Sequence, residues 1–147
     1  MARDLTPEDL AKLLDATAKG AHRGALKGYR KAASNVEAVS KKYCTPGESP
    51  FDDMIFPTKL DKNGNQRSGA PFDFGQLRNL MYSKVEDSED EIKAICGNTA
   101  GYAIYVFLGT SKMAARPVIE LAISDEAENT VKFIRDETWK GVTEASL

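Results

Sequence analysis

Small and apolar residues recur at helical spacing along the first third of the chain: Leu10, Leu14, Ala18, Ala21, Ala25, Tyr29, Ala32 and Val36. Steps of three and four put them on one stripe of an α-helix. Thr6-Pro7-Glu8-Asp9 is a helix start: a side-chain acceptor, a proline at the first helical position and two acids at the positive end of the dipole. Together they predict a helix over residues 7–43, far longer than the globular mean of about 11–12 residues. Gly20, Gly24 and Gly28 fall on one face of it at a spacing of four. An interior glycine costs about 1 kcal/mol relative to alanine. The run therefore reads either as a flat strip approached by another backbone or as a break that splits the element in two.

Residues 45–70 change character. Thr45-Pro46-Gly47-Glu48-Ser49-Pro50 and Lys62-Asn63-Gly64-Asn65 are turn clusters, with Met54-Ile55-Phe56 as an apolar patch between them. The segment reads as a long insertion loop, with a hairpin turn at Asn63-Gly64, and Phe56 as a candidate contact residue that an ordering partner would cover. Phe72 to Arg78 reads as a turn leading into structure. Leu80–Val85 and Glu91–Cys96 alternate as strands, joined by the acidic run Glu86-Asp87-Ser88-Glu89-Asp90. Tyr102–Leu108 is continuously apolar, a buried strand or, preferably, a short helix. Ile119, Ile123, Ala127, Val131 and Ile134 predict a last helix from Pro117 to near Thr138, followed by a loose tail apart from Trp139. The expected fold is α+β: a long N-terminal helix and a C-terminal helix packed on a small antiparallel sheet, with the core over residues 72–138.

The 147 residues suit a single domain, and a 41% apolar share suffices for one modest core. A formal net charge of -2 gives no global attraction to nucleic acid or membrane surfaces. Cys44 and Cys96 lie far apart without a CxxC, which argues against a disulfide framework or zinc site. The N-terminus runs straight into a polar helix, and no stretch approaches the roughly 20 apolar residues of a membrane span. Folding in a reducing cytoplasm is expected.

Motifs for chemistry are sparse. His22, the single histidine, sits among Lys19, Arg23 and Lys27 with no nucleophile or orienting acid evident nearby. The Glu86–Glu91 run lacks the alternating ligands of a calcium loop. Gly109-Thr110-Ser111-Lys112 lacks the first glycine of a phosphate loop, since Ile104 stands in its place. No enzyme activity and no cofactor are expected. The basic residues of the first helix, Lys27 and Arg30 among them, allow a small DNA-binding module as an alternative. Asp9, Asp15 and Glu37 dilute that face, and stacking aromatics are not interleaved, so sequence-specific nucleic-acid binding is not expected. A solvated face, or a patch meeting an acidic neighbour, is the preferred reading; the acids Glu120, Asp125, Glu126 and Glu128 of the last helix could be that neighbour, on the same chain or another copy.

The segment Tyr102-Ala103-Ile104-Tyr105-Val106-Phe107-Leu108-Gly109-Thr110-Ser111-Lys112-Met113-Ala114-Ala115-Arg116-Pro117 closely resembles a signature of the tail-completion family of long-tailed bacteriophages, the lambdoid gene-ten minor tail proteins. Gly75-Gln76-Leu77-Arg78 resembles the family's Thr-Gly-x-Leu-Arg element, with Phe74 in place of the threonine. The resemblance spans about Phe72 to Ile134 and implies a virion protein of the head–tail junction, assembled in the host cytoplasm. It implies partners in copies of the chain arranged as a ring, in neck, tail-terminator or tail-tube proteins, and in the head connector. The loop over residues 109–117 would then be a contact, with Gly109, Thr110, Lys112, Met113, Arg116 and Pro117 as its candidate residues. Arg116 reads either as the polar anchor to a neighbour or as a brace within its own loop.

Overall fold

The computed structural model describes residues 5–53, 75–111 and 114–146. The Met54–Phe56 patch, the Asn63-Gly64 turn, Phe72–Phe74, Lys112 and Met113 lie outside them. The elements are α1 (Pro7–Tyr43), α2 (Gln76–Asn79), β1 (Met81–Asp87), β2 (Ile92–Asn98), α3 (Ala103–Leu108), α4 (Val118–Asp125) and α5 (Ala127–Ser146). The two strands form one two-stranded sheet. The α+β class, the long N-terminal helix, the C-terminal helix and the antiparallel hairpin all match expectation.

The chain divides into two compact units. The first holds α1 up to Ala33, the hairpin tip Val85–Ala94, and α5 from Ala127. Its helix start is a reciprocal cap: the Asp9 amide donates to Thr6 Oγ1 at 3.2 Å, and the Thr6 amide donates to Asp9 Oδ2 at 3.3 Å. α1 is one unbroken helix, so the glycines are not a break. A Cβ on Gly20 would come within 2.3 Å of the Gly141 carbonyl oxygen, and one on Gly24 within 2.2 Å of that of Glu137. On Gly28 it would lie 2.6 Å from Ile134 Cα. The strip is where the α5 backbone lies directly on α1.

Two sequence expectations are corrected here. Gly20, Gly24 and Gly28 are buried on α1, whereas Leu10 and Leu14 are 47% and 61% exposed. The predicted stripe is buried at Ala32 and Val36 but uncovered at Leu10 and Leu14; against α5 the smallest residues form the packed face, because backbone-to-backbone approach leaves no room for a leucine. The last helix also differs. It is two helices separated at Glu126, where the backbone turns (φ -97°, ψ 9°) and Asn35 Nδ2 donates to Glu126 Oε2 at 2.6 Å. The expected loose tail is helical to Ser146, since Gly141 and Ala145 sit against Gly20.

The second unit holds Ser34–Lys84 and Ile95–Glu126. Its core is Cys44, Phe51, Leu77, Met81, Ala100, Ala103 and Val118. Leu77 and Val118 are fully buried, and full burial of such a side chain is worth about 1.5–3 kcal/mol. The start of the expected insertion loop belongs to this core: Phe51 is buried, and its amide donates to Ser49 Oγ at 3.1 Å. Strand alternation puts Met81 and Ser83 inward and Tyr82 and Lys84 outward. Asn98 locks the exit from β2, donating to the Leu77 carbonyl at 2.6 Å while accepting from the Ala100 amide at 2.8 Å. Tyr102–Leu108 resolves as helix rather than strand.

Gly24→Ala is expected to destabilise the chain by about 1–3 kcal/mol despite alanine's better helix propensity, because the added methyl overlaps backbone that cannot rotate away. Gly101→Ala, where a Cβ meets nothing within 4 Å, is the control and should be near neutral. Thermal melts followed by circular dichroism compare the two.

Candidate functional site

The signature segment is built on α3. Gly109 ends that helix with φ 78° and ψ 173°, a region open essentially to glycine alone. Its amide closes the helix on the Tyr105 carbonyl at 3.0 Å. The chain then leaves α3 and returns, where the Arg116 amide donates to the Val106 carbonyl at 3.0 Å. Pro117 has φ -75° and ψ 70°, and the Val118 amide donates to the Arg116 carbonyl at 2.8 Å across it. This is an inverse γ-turn, and it fixes the direction in which α4 departs.

The candidate contact residues fall in different environments. Thr110 and Ser111 are exposed at the outer end of the loop, and Gly109 and Pro117 are half-buried. Arg116 is only 8% exposed, and burial pushes its guanidinium pKa down. Its charge is therefore spent inside the second unit, which favours the brace over the outward anchor. Lys27 and Arg30 are exposed on α1, in the other unit. Lys27 borders a polar cleft of about 160 Å³ with Arg23, Glu137, Lys140 and Glu144.

Several basic residues of α1 are already matched with acids. Lys19 meets Asp15 at 2.7 Å, Lys31 meets Glu137 at 2.5 Å and Lys41 meets Glu37 at 2.7 Å. Glu137 also takes Lys140 at 3.3 Å, and these lysines, Lys31 first, hold its carboxyl below the usual carboxylate range. The acidic partner foreseen for the basic helix is thus present in the same chain, at Glu137 rather than at the acids singled out in the sequence.

His22 does gain an acid: Nε2 lies 2.9 Å from Asp87 Oδ2, which β1 brings to the hairpin tip. Both groups are solvent-accessible. Cys44 is fully buried, and burial pushes its thiol up to about 12, so it stays protonated at neutral pH. Among the described residues no three histidine, cysteine, aspartate or glutamate side chains group as metal ligands. None of the described helices is long and apolar enough to cross a membrane.

What the described surface offers instead is exposed apolar area, at Leu10 and Leu14 of α1 and on the later helices. On the second unit, α3 and α4 border a cleft of about 420 Å³ lined by Ala103, Ile104, Phe107, Leu108, Ile119 and Glu120. Ile104 and Leu108 are 57% and 68% exposed there. On the first unit, α5 carries Val131 and Trp139 at 63% and 67% exposure. The sequence reading put Val131 on the apolar face of the last helix and left Tyr102–Leu108 as a buried strand or short helix, since periodicity cannot tell a buried stripe from an uncovered one. Comparison with family models, with curated proteins and with solved structures finds no match to this chain.

Two outcomes follow. Arg116→Ala should lower the stability of the isolated chain by about 1–3 kcal/mol, measured by denaturant titration, as expected for a side chain that braces its own loop. Glu137→Gln should melt below the wild type at neutral pH. A carboxyl whose folded pKa is depressed contributes stability above its unfolded pKa of about 4.3 and loses it as pH falls through the folded value. The gap between the two melting temperatures should therefore close as the pH is lowered below about 4.

Proposed function

We propose that this chain is a structural subunit of the phage head–tail junction, completing the tail and supporting its joining to the head. The segment Tyr102–Pro117 carries the reading: it resembles the tail-completion signature, although Phe107 and Leu108 depart from it, and the turns that bound its loop give the segment a defined path. Gly109, Arg116 and Pro117 set the path of the loop from within, leaving Thr110 and Ser111 outward on a fixed frame. The exposed apolar surfaces of both units agree with a protein that works by contact. Patches of this kind on a small chain mark interaction sites more often than they mark nothing. The ion-paired lysines of α1 weigh against the DNA-binding alternative, because a cation already matched to an acid releases fewer counterions on binding phosphate.

The test is reconstitution. Particles assembled without this chain should accumulate as separate filled heads and tails, and adding the purified protein should restore joined virions counted by electron microscopy. Joined particles appearing in its absence would overturn the proposal. Tight duplex-DNA binding that falls steeply with salt would move the reading to the alternative.

A further inference from the structure

We infer that the polar cleft at the seam of α1 and α5 holds a compact phosphate-class anion, inorganic phosphate or the phosphate group of a small monoester, between Arg23, Lys27 and Lys140.

From Ala16 to Val36 α1 carries no acid, while Lys19, His22, Arg23, Lys27, Arg30 and Lys31 all fall within that stretch. Folding supplies acids to some of them. Asp15 meets Lys19, Asp87 meets His22 and Glu137 meets Lys31. Arg23, Lys27 and Arg30 gain no ion pair among the described residues, and all three are exposed. Arg23 and Lys27 stand four residues apart, on one face, and line the cleft of about 160 Å³. From α5 come Glu137, Lys140 and Glu144, which also share a face at steps of three and four. The remaining lining is Gly20, Gly24 and Gly141, so the floor is backbone and no side chain fills it.

The carboxylates in the cleft oppose an anion, and each has to be weighed. Glu137 already takes Lys31 at 2.5 Å and Lys140 at 3.3 Å, so it cancels less charge than those two ammonium groups supply. Glu144 has no ion pair among the described residues and is the one acid left to repel a ligand. Arg23 and Lys27 outweigh it. A small cation would meet the reverse: one carboxylate occupied, one alone, and a guanidinium and two ammonium groups around them. The order of charges on α5 sets the size of the ligand. Lys140 lies between two acids seven residues, or about 10 Å, apart. An extended polyanion laid along the seam passes a carboxylate on either side of Lys140, whereas a single phosphate group does not. Its oxygens can take the planar fork of Arg23 together with the ammonium groups of Lys27 and Lys140. The inference rests on the first unit alone and is independent of the head–tail reading.

Titration of the full chain with inorganic phosphate, at constant ionic strength and neutral pH, is the test, followed by two-dimensional NMR. The amides of Gly20, Gly24 and Gly141 should shift saturably, with a dissociation constant of about 1 mM. Arg23→Gln and Lys27→Gln, both at exposed sites, should leave the far-ultraviolet circular dichroism unchanged and each weaken binding about tenfold. Glu144→Gln should tighten it, a sign that a merely structural role for these residues does not produce. A small phosphate monoester should compete with inorganic phosphate at the same amides. No saturable shift up to about 50 mM, far beyond a millimolar constant, would overturn the inference. So would equal shifts with chloride, which would leave only general screening. A duplex oligonucleotide or a polyglutamate peptide that binds the seam far more tightly than phosphate would overturn it too, since the cleft would then serve an extended polyanion.

Discussion

The approach of α5 onto the glycine strip of α1 is the constraint that organises the first unit. Gly20, Gly24 and Gly28 bring the two backbones so close that a single methyl at any of them meets main-chain atoms. Such packing gains from many short dispersion contacts rather than from burying large side chains. Glu137 is the one charged residue buried there, and it is held by Lys31 and Lys140. The consequence is an inversion of the usual helix pair: leucines and the tryptophan stand outside, and glycine and alanine fill the seam.

The second unit is built the other way. Large side chains, Leu77, Met81, Phe51 and Val118, make a conventional core, and short polar latches hold its irregular backbone. Glu37 illustrates this. It accepts from Lys41 at 2.7 Å and from Ser83 Oγ at 2.5 Å, and those bonds, Lys41 first, lower its pKa. Tyr43 donates to Asp125, which raises the phenol to about 12 and anchors the end of α1 to the end of α4. Within this frame few atoms fix the two ends of the loop at Gly109 and at Arg116-Pro117. One backbone bond to Val106, one left-handed glycine and one γ-turn suffice.

Local signals were legible in the sequence, and long-range ones were not. The Thr6–Asp9 cap, the long helix, the hairpin and the helix at Tyr102–Leu108 all depend on residues within a few positions of one another. The face that α1 buries depends on α5, more than ninety positions away; the four-residue glycine spacing offered that close approach as one of two readings, but glycine adds nothing to a hydrophobic pattern that could choose between it and a break. The same blindness hid the continuation of α5 to Ser146, where the packing residues are Gly141 and Ala145. The His22–Asp87 pair and the Lys31–Glu137 pair were hidden for the same reason: each partner reads as a solvated surface charge until the fold brings the other to it. Gly109, Arg116 and Pro117 were singled out together in the sequence, but only coordinates show that the Arg116 side chain is buried.

These two styles of packing bear on what the chain can do. A helix pair sealed by glycines leaves its large apolar side chains available, and Leu10, Leu14, Val131 and Trp139 are all more than a third exposed. Most of a folded surface is apolar in any case, so single exposed leucines mean little. A stripe that repeats along one helix face is different, because dispersion and water release add along its length when a complementary surface covers it. The second unit has an apolar cleft of its own between α3 and α4, bordered by Ile104, Leu108 and Ile119. Internal stability and external contact therefore draw on different residues in this chain. A surface substitution at Leu10, Leu14, Val131 or Trp139 can therefore change the exposed apolar area without touching the packing that holds the chain together.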